Sequence, residues 1–198
     1  MSNGKFQNAY HVMLNRPFKE EDGSEERRGL YRVHRHTLPA CIPLTSISSR
    51  FLPNGKGILN NGSTGREGAR QQDLKAFTRS IRRELVSYHK RLSSIKALRK
   101  EFNLSSSSSS LLSKGKSPEN VIIDITPADP EAKQMRIEWV DGRIGRVAMD
   151  EKGKVVKCVV IGEEGRDRDV ERRVMSSMGN GLRARIEDVG TRLREGIY

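Results

Sequence analysis

The chain is poor in the features that most readily declare a function. It has only two cysteines in 198 residues, Cys41 and Cys158, so no disulfide framework holds it together and an intracellular compartment is favoured. It contains no run of about 18 apolar residues, which excludes a membrane-spanning helix. The opening MSNGKFQNAY lacks the apolar stretch of a secretory signal. Hydrophobic residues make up 34% and aromatic residues 5%, low for a compact globule, so part of the chain is expected to be linker or exposed helix. Carboxylates are also in deficit: 25 Asp and Glu stand against 37 Lys and Arg, a net charge of +12. That imbalance favours an acidic partner, whether nucleic acid, an acidic protein segment or a phosphorylated one.

Catalytic chemistry is equally scarce. The stretch HRHTLPACIPL (34–44) places His34 and His36 on one side of an extended strand, as a two-ligand metal edge would need. Arg32 shares that side, and a permanent guanidinium there repels a divalent cation. No second pair of ligand residues stands at metal-binding spacing elsewhere. Cys41 lies between two prolines in an apolar turn, with nothing to lower its pKa, and reads as a small apolar filler. Lys114-Gly115-Lys116-Ser117 resembles the end of a phosphate-binding loop, but Ser110 occupies the position where that motif needs glycine. Glu138 and Asp141 flank a turn, where acidic residues are ordinary. No catalytic, metal-binding or cofactor-binding residue is assigned, and no cofactor is implied.

What is present is pattern. Tyr10, Val12 and Leu14 alternate, and Tyr31 and Val33 alternate again, which predicts an antiparallel hairpin with a long polar connection. Pro39 and Pro43 lack amide donors and end the pairing. After a glycine-rich stretch, Leu74, Phe77, Ile81, Leu85, Tyr88, Leu92, Ile95, Leu98 and Phe102 recur at helical spacing, predicting one long helix over 73–102 with Asp73 as N-cap. Its other face is assigned nine Lys or Arg and only two acids. Such a face suits nucleic-acid phosphates, but it equally suits a solvated helix packed by its apolar stripe.

A serine-rich linker follows over 103–120. Strands are then expected at 121–125, 135–140, 143–149 and 154–161, with a two-residue turn at Asp141-Gly142 and with Val156, Cys158 and Val160 sharing a face. Two helices close the chain, one carrying Val170, Val174 and Met178, the other Leu182, Ile186, Val189, Leu193 and Ile197, separated by Gly179-Asn180-Gly181. Segregated strands and helices give the α+β class.

The text VHRHTLPACIPL, then ISSRFLP, then DLKAFTRSIRRELVSYHKRL resembles the centromere protein O family of inner-kinetochore subunits. The later IEWVDGRIGRVAMDEKGKVVKCVVI is similar to that family's C-terminal part. The resemblance implies two RWD-like units, each a small antiparallel sheet packed by helices, over 1–102 and 121–198. It makes Pro39 and Pro43 the PxxxP turn of such a unit, with Leu38 where tyrosine is more usual. The family normally has a coiled coil and further strands before the first unit, so the first sheet is expected to be truncated at its N-terminal side, with an open edge. The implied function is structural: a nuclear, centromeric subunit that pairs with a centromere protein P-like tandem-RWD partner, joins other inner-kinetochore subunits and supports chromosome segregation. Leu85, Tyr88, Leu92 and Trp139 are the candidate packing or partner contacts. The alternative is a basic nucleic-acid-binding protein that uses helix 73–102.

Overall fold

A computed structural model of the chain describes residues 9–15, 30–53, 71–104, 121–176 and 184–194. The class is α+β: the described residues form a two-stranded and a five-stranded antiparallel sheet with four helices. The chain divides into two compact units between Val86 and Ser87.

In the first unit, β1 (Val12–Asn15) pairs antiparallel with β2 (Arg32–His36). Thr37 closes the pair, since its amide donates to the His11 carbonyl and its hydroxyl accepts from the His11 amide. The two prolines then make a corner. The Ile42 amide donates to the Pro39 carbonyl at 3.0 Å, and the Pro43 carbonyl accepts from Ile47 at 3.1 Å, the first bond of a helix. That helix, α1 (Leu44–Phe51), went unrecognised in the sequence, because three serines in eight residues hide its short apolar face. Leu38, Ile42, Leu44, Ile47 and Leu52 are all buried, as are Phe77 and Ile81.

The long helix α2 runs over Leu74–Glu101. Asp73 caps it: its Oδ1 accepts from the Ala76 amide at 2.8 Å. The boundary between compact units falls inside this helix. The sequence pattern assigns all of 73–102 to the first unit, but Ile95 and Leu98 are buried in the core of the second, and Tyr88, Leu92 and Phe102 pack against that core.

The second unit is a meander in the order β3 (Ile122–Pro127), β4 (Gln134–Trp139), β5 (Ile144–Met149), β6 (Val155–Gly162) and β7 (Gly165–Arg166). Helices α3 (Arg168–Met175) and α4 (Ile186–Arg194) complete it. One sheet face carries Ile125, Met135, Ile137, Trp139, Val147, Met149, Val155, Cys158 and Val160, all buried in one core with Ile95 and Leu98 of α2, Val170 and Val174 of α3, and Ile186, Val189 and Leu193 of α4. Alternating apolar residues along each strand dictate this single covered face.

Two local expectations need correction. Val156 does not share the face of Cys158 and Val160; it is exposed, and Val155 is buried instead. The pairing explains it: Lys157 faces Ala148 while Val155 faces Met149, so Val156 is the extra residue of a bulge that resets the alternation. The β4–β5 connection is also one residue longer than predicted. The Gly142 amide donates to the Trp139 carbonyl at 3.1 Å and the Trp139 amide to Arg143 at 3.0 Å, which encloses three residues, with Gly142 at φ +83°. The β5–β6 connection repeats the design with Gly153 at φ +77°. The serine run, the Lys114–Ser117 stretch, Met178, Gly179–Gly181, Leu182 and Ile197 lie outside the described residues.

Candidate interaction surfaces

The first unit offers strand edges. Among the described residues its sheet has two strands, and a two-stranded sheet in water is marginal by itself. Tyr10, Val12, Leu14, Tyr31 and Val33 are only half-buried, and Met13 is exposed. The Gln72 side chain ties the hairpin to its neighbours. Gln72 accepts from the Tyr31 amide at 2.6 Å and donates to the Tyr31 carbonyl at 2.9 Å and to the Pro53 carbonyl at 3.3 Å. The glutamine amide thus imitates a short piece of partner strand. Nothing in sequence pattern singled out Gln72, because one polar residue before a helix is ordinary.

His34 and His36 are exposed, as is Arg32. Among the described residues no three His, Cys, Asp or Glu stand together as metal ligands. Cys41 is half-buried. Pro39 is half-buried and Pro43 exposed, at the corner described above. Leu85, Tyr88 and Leu92 are half-buried, whereas Trp139 is 4% exposed, an intradomain core residue of the second unit.

The basic face of α2 is narrower than its composition suggests. Lys75, Arg79, Arg82, Arg83, Lys90, Lys96 and Lys100 are exposed. Arg91 is buried and donates from Nε and Nη2 to the Glu131 carbonyl at 3.1 and 2.9 Å. Arg99 donates to the carbonyls of Leu104 and Ile125 and pairs with Asp124 at 2.9 Å. Two of the nine cations therefore hold the second unit together.

That unit protects its sheet edges. On one side, β3 bulges at Ile123, ends in Pro127 and has its Ile125 carbonyl capped by Arg99. On the other, β7 is two residues long. Beyond it, the β6 edge is capped by α3. The Glu171 carboxylate accepts from the buried Val160 amide at 3.0 Å and from Arg166 Nε at 2.7 Å. The Arg166 hydrogen bond holds the Glu171 carboxyl below its ordinary range, with burial opposing and the Val160 amide assisting. Burial, reinforced by the Glu171 charge, pushes the neighbouring Cys158 thiol up to about 12. Asp167 caps α3, accepting from the Asp169 and Val170 amides. Burial works against the Asp167 charge, but those amides and Arg143 outweigh it and hold its pKa down. Arg143 bridges Asp141 and Asp167, each at 2.7 Å, with its guanidinium 5.5 Å from the Trp139 ring centre. Of these, the Asp167 cap was the most legible, an Asp immediately before an amphipathic run.

The sheet face away from the helices of the second unit carries exposed side chains among the described residues. Arg136 stands directly opposite Arg146, Ile144 opposite Ile161, Arg146 opposite Val159, and Ala148 opposite Lys157. A shallow groove of about 680 Å³ runs over Ile144, Val159 and Ile161.

A comparison with curated proteins finds no match. The family of the Cenp-O kinetochore centromere component matches residues 1–193 of the 198. Because that match covers nearly the whole chain, across both compact units, the chain belongs to the Cenp-O kinetochore centromere component family.

Proposed function

We propose that this kinetochore component works as a structural subunit whose two units are RWD-type modules, and that it heterodimerises with a second tandem-RWD subunit of the centromere protein P kind. The family match over residues 1–193 carries the proposal. The fold supports it: each unit is a small antiparallel sheet with helices, and the first has a two-stranded sheet with half-buried apolar residues. A partner strand added to such a hairpin supplies backbone hydrogen bonds and covers Val12, Leu14 and Val33. Leu85 and the Pro39–Pro43 corner belong to the same unit and are proposed to back that contact. Tyr88, Leu92 and Trp139 serve the core of the second unit. The pair would act in the nucleus at centromeres, within a larger assembly of inner-kinetochore subunits, in support of chromosome segregation.

The test is co-expression with a tandem-RWD kinetochore subunit, followed by size-exclusion chromatography. A stoichiometric complex that Met13→Asp dissolves is expected. Two separately eluting monomers would overturn the reading. The seven exposed cations of α2 favour a second reading, weak contact with a nucleic-acid backbone. Tight duplex binding by the chain alone, with a steep salt slope, would promote it to the main one.

A further inference from the structure

The open face of the five-stranded sheet is chemically two-sided. Its floor is apolar: Ile144 and Ile161 face each other across β5 and β6 and are 40% and 57% exposed, with Val159 beside them. Its border is cationic. Arg136 and Arg146 stand directly opposite each other on β4 and β5, and Lys157 lies on β6 one strand further. Like charges in directly opposed positions destabilise a sheet. Glu138 relieves Arg136 at 2.9 Å, but among the described residues Arg146 and Lys157 enter no ion pair. Two carboxylates stand on this face among the described residues: Glu138, opposite Ile144 and paired to Arg136, and Glu163 at the groove's rim.

Three occupants are conceivable, and the chemistry separates them. A second copy would double the excess of cations over carboxylates on this face, since three cations (Arg136, Arg146, Lys157) stand there with Glu138 and Glu163. A nucleic-acid backbone would use the cations but leave Ile144, Val159 and Ile161 against water and phosphate. An acidic, amphipathic protein segment satisfies both: carboxylates reach Arg146 and Lys157 while alternate apolar side chains fill the groove of about 680 Å³. We infer that this face, floored by Ile144, Val159 and Ile161 and bordered by Arg136, Arg146 and Lys157, docks an acidic amphipathic protein segment. The surface is confined to the second unit and is independent of the strand pairing proposed for the first.

The experiment uses the full chain and a fluorescently labelled 12-residue synthetic peptide that alternates glutamate with leucine. Parallel probes replace glutamate by lysine, or leucine by serine, and a 20-base-pair DNA duplex serves as competitor. Anisotropy should show saturable binding of the first peptide alone. Arg146→Glu and Ile161→Asp should each weaken it about tenfold or more, whereas Val86→Asp, on exposed α2, should not. Equal binding of the serine peptide, displacement by duplex DNA, or an unchanged affinity in Arg146→Glu would overturn the inference, as would absence of binding at about 1 mM peptide. A second measurement needs no ligand: Arg146→Thr removes the opposed charge and should raise Tm by about 1–3 °C. A fall in Tm would show that Arg146 serves the fold and would also overturn the inference.

Discussion

Glu171 gives the sharpest test of how the second unit closes its sheet. It is 8% exposed and accepts the buried Val160 amide at 3.0 Å, so Glu171→Ala leaves that donor without a partner. Stranding a buried amide costs about 1–3 kcal/mol. The ion pair adds little, because the Arg166 side chain is 52% exposed. A loss of about 2 kcal/mol, at a urea slope of about 1–3 kcal/mol/M, lowers the unfolding midpoint by about 1 M. Trp139 is the only tryptophan and sits in the core of this unit, so its fluorescence follows the transition directly. Glu171→Gln keeps an acceptor for Val160 and should lose less than half as much.

The pH dependence fixes the cause. The folded carboxyl lies below its ordinary value, while the unfolded one titrates near about 4.3. A depressed folded pKa contributes stability that is fully present above the unfolded value and is lost as pH falls through the folded value. The difference between wild type and Glu171→Gln should therefore be flat from about pH 5 to 8 and shrink below about pH 4. A midpoint in Glu171→Ala within about 0.2 M of wild type, or a wild-type-to-Gln difference that ignores pH, would refute this account.

Three further outcomes are expected. A Cβ added at Gly145 would lie 2.8 Å from the Trp139 ring, so Gly145→Ala should destabilise the second unit by about 1–3 kcal/mol, read from the same fluorescence transition. With its thiol pushed up to about 12 and 5% exposed, Cys158 should resist iodoacetamide at pH 8 in the folded chain and react only in denaturant, as peptide mass mapping would show. Asp73→Ala removes the cap from the Ala76 amide and should cost about 1 kcal/mol, visible as faster hydrogen exchange over the first turn of α2.

Strand and helix periodicity was legible because it follows directly from which side chains must leave water. Met135, Ile137 and Trp139 alternate into the core as their spacing requires, and Asp73 caps where an Asp before an apolar stripe should. What was not legible depends on register and on long-range partners. The bulge that exchanges Val156 for Val155 is set by where β6 meets β5, and KVVKCVVI offers apolar residues for either alternation. Arg91 and Arg99 read as solvent-facing because a charge is presumed outside. Only the Glu131 and Ile125 carbonyls, 40 and 26 residues further along the chain, and the nearby Leu104 carbonyl reveal their structural use. Helix α1 was hidden because LTSISSRF has serines on its outer side and only Leu44 and Ile47 fully buried within it.

The same long-range logic separates the two kinds of surface. A sheet edge recruits any strand, so a unit that does not use its edges must block them, and the second unit blocks each by a different device: a bulge with proline and an arginine cap at β3, a two-residue β7 with a glutamate cap at β6. These devices have a cost in charges brought out of water. They are intelligible only if unplanned strand pairing would be worse. A sheet face recruits by shape and charge instead, and it tolerates exposure because its backbone is already paired. Arg146 opposite Arg136 adds like charge to that face, which disfavours cationic partners. The first unit has a two-stranded sheet among its described residues, where Gln72 pairs with the backbone of Tyr31 beside β2. If the two proposals hold, this chain distinguishes partners by two separate rules, strand addition at the first unit and face docking at the second.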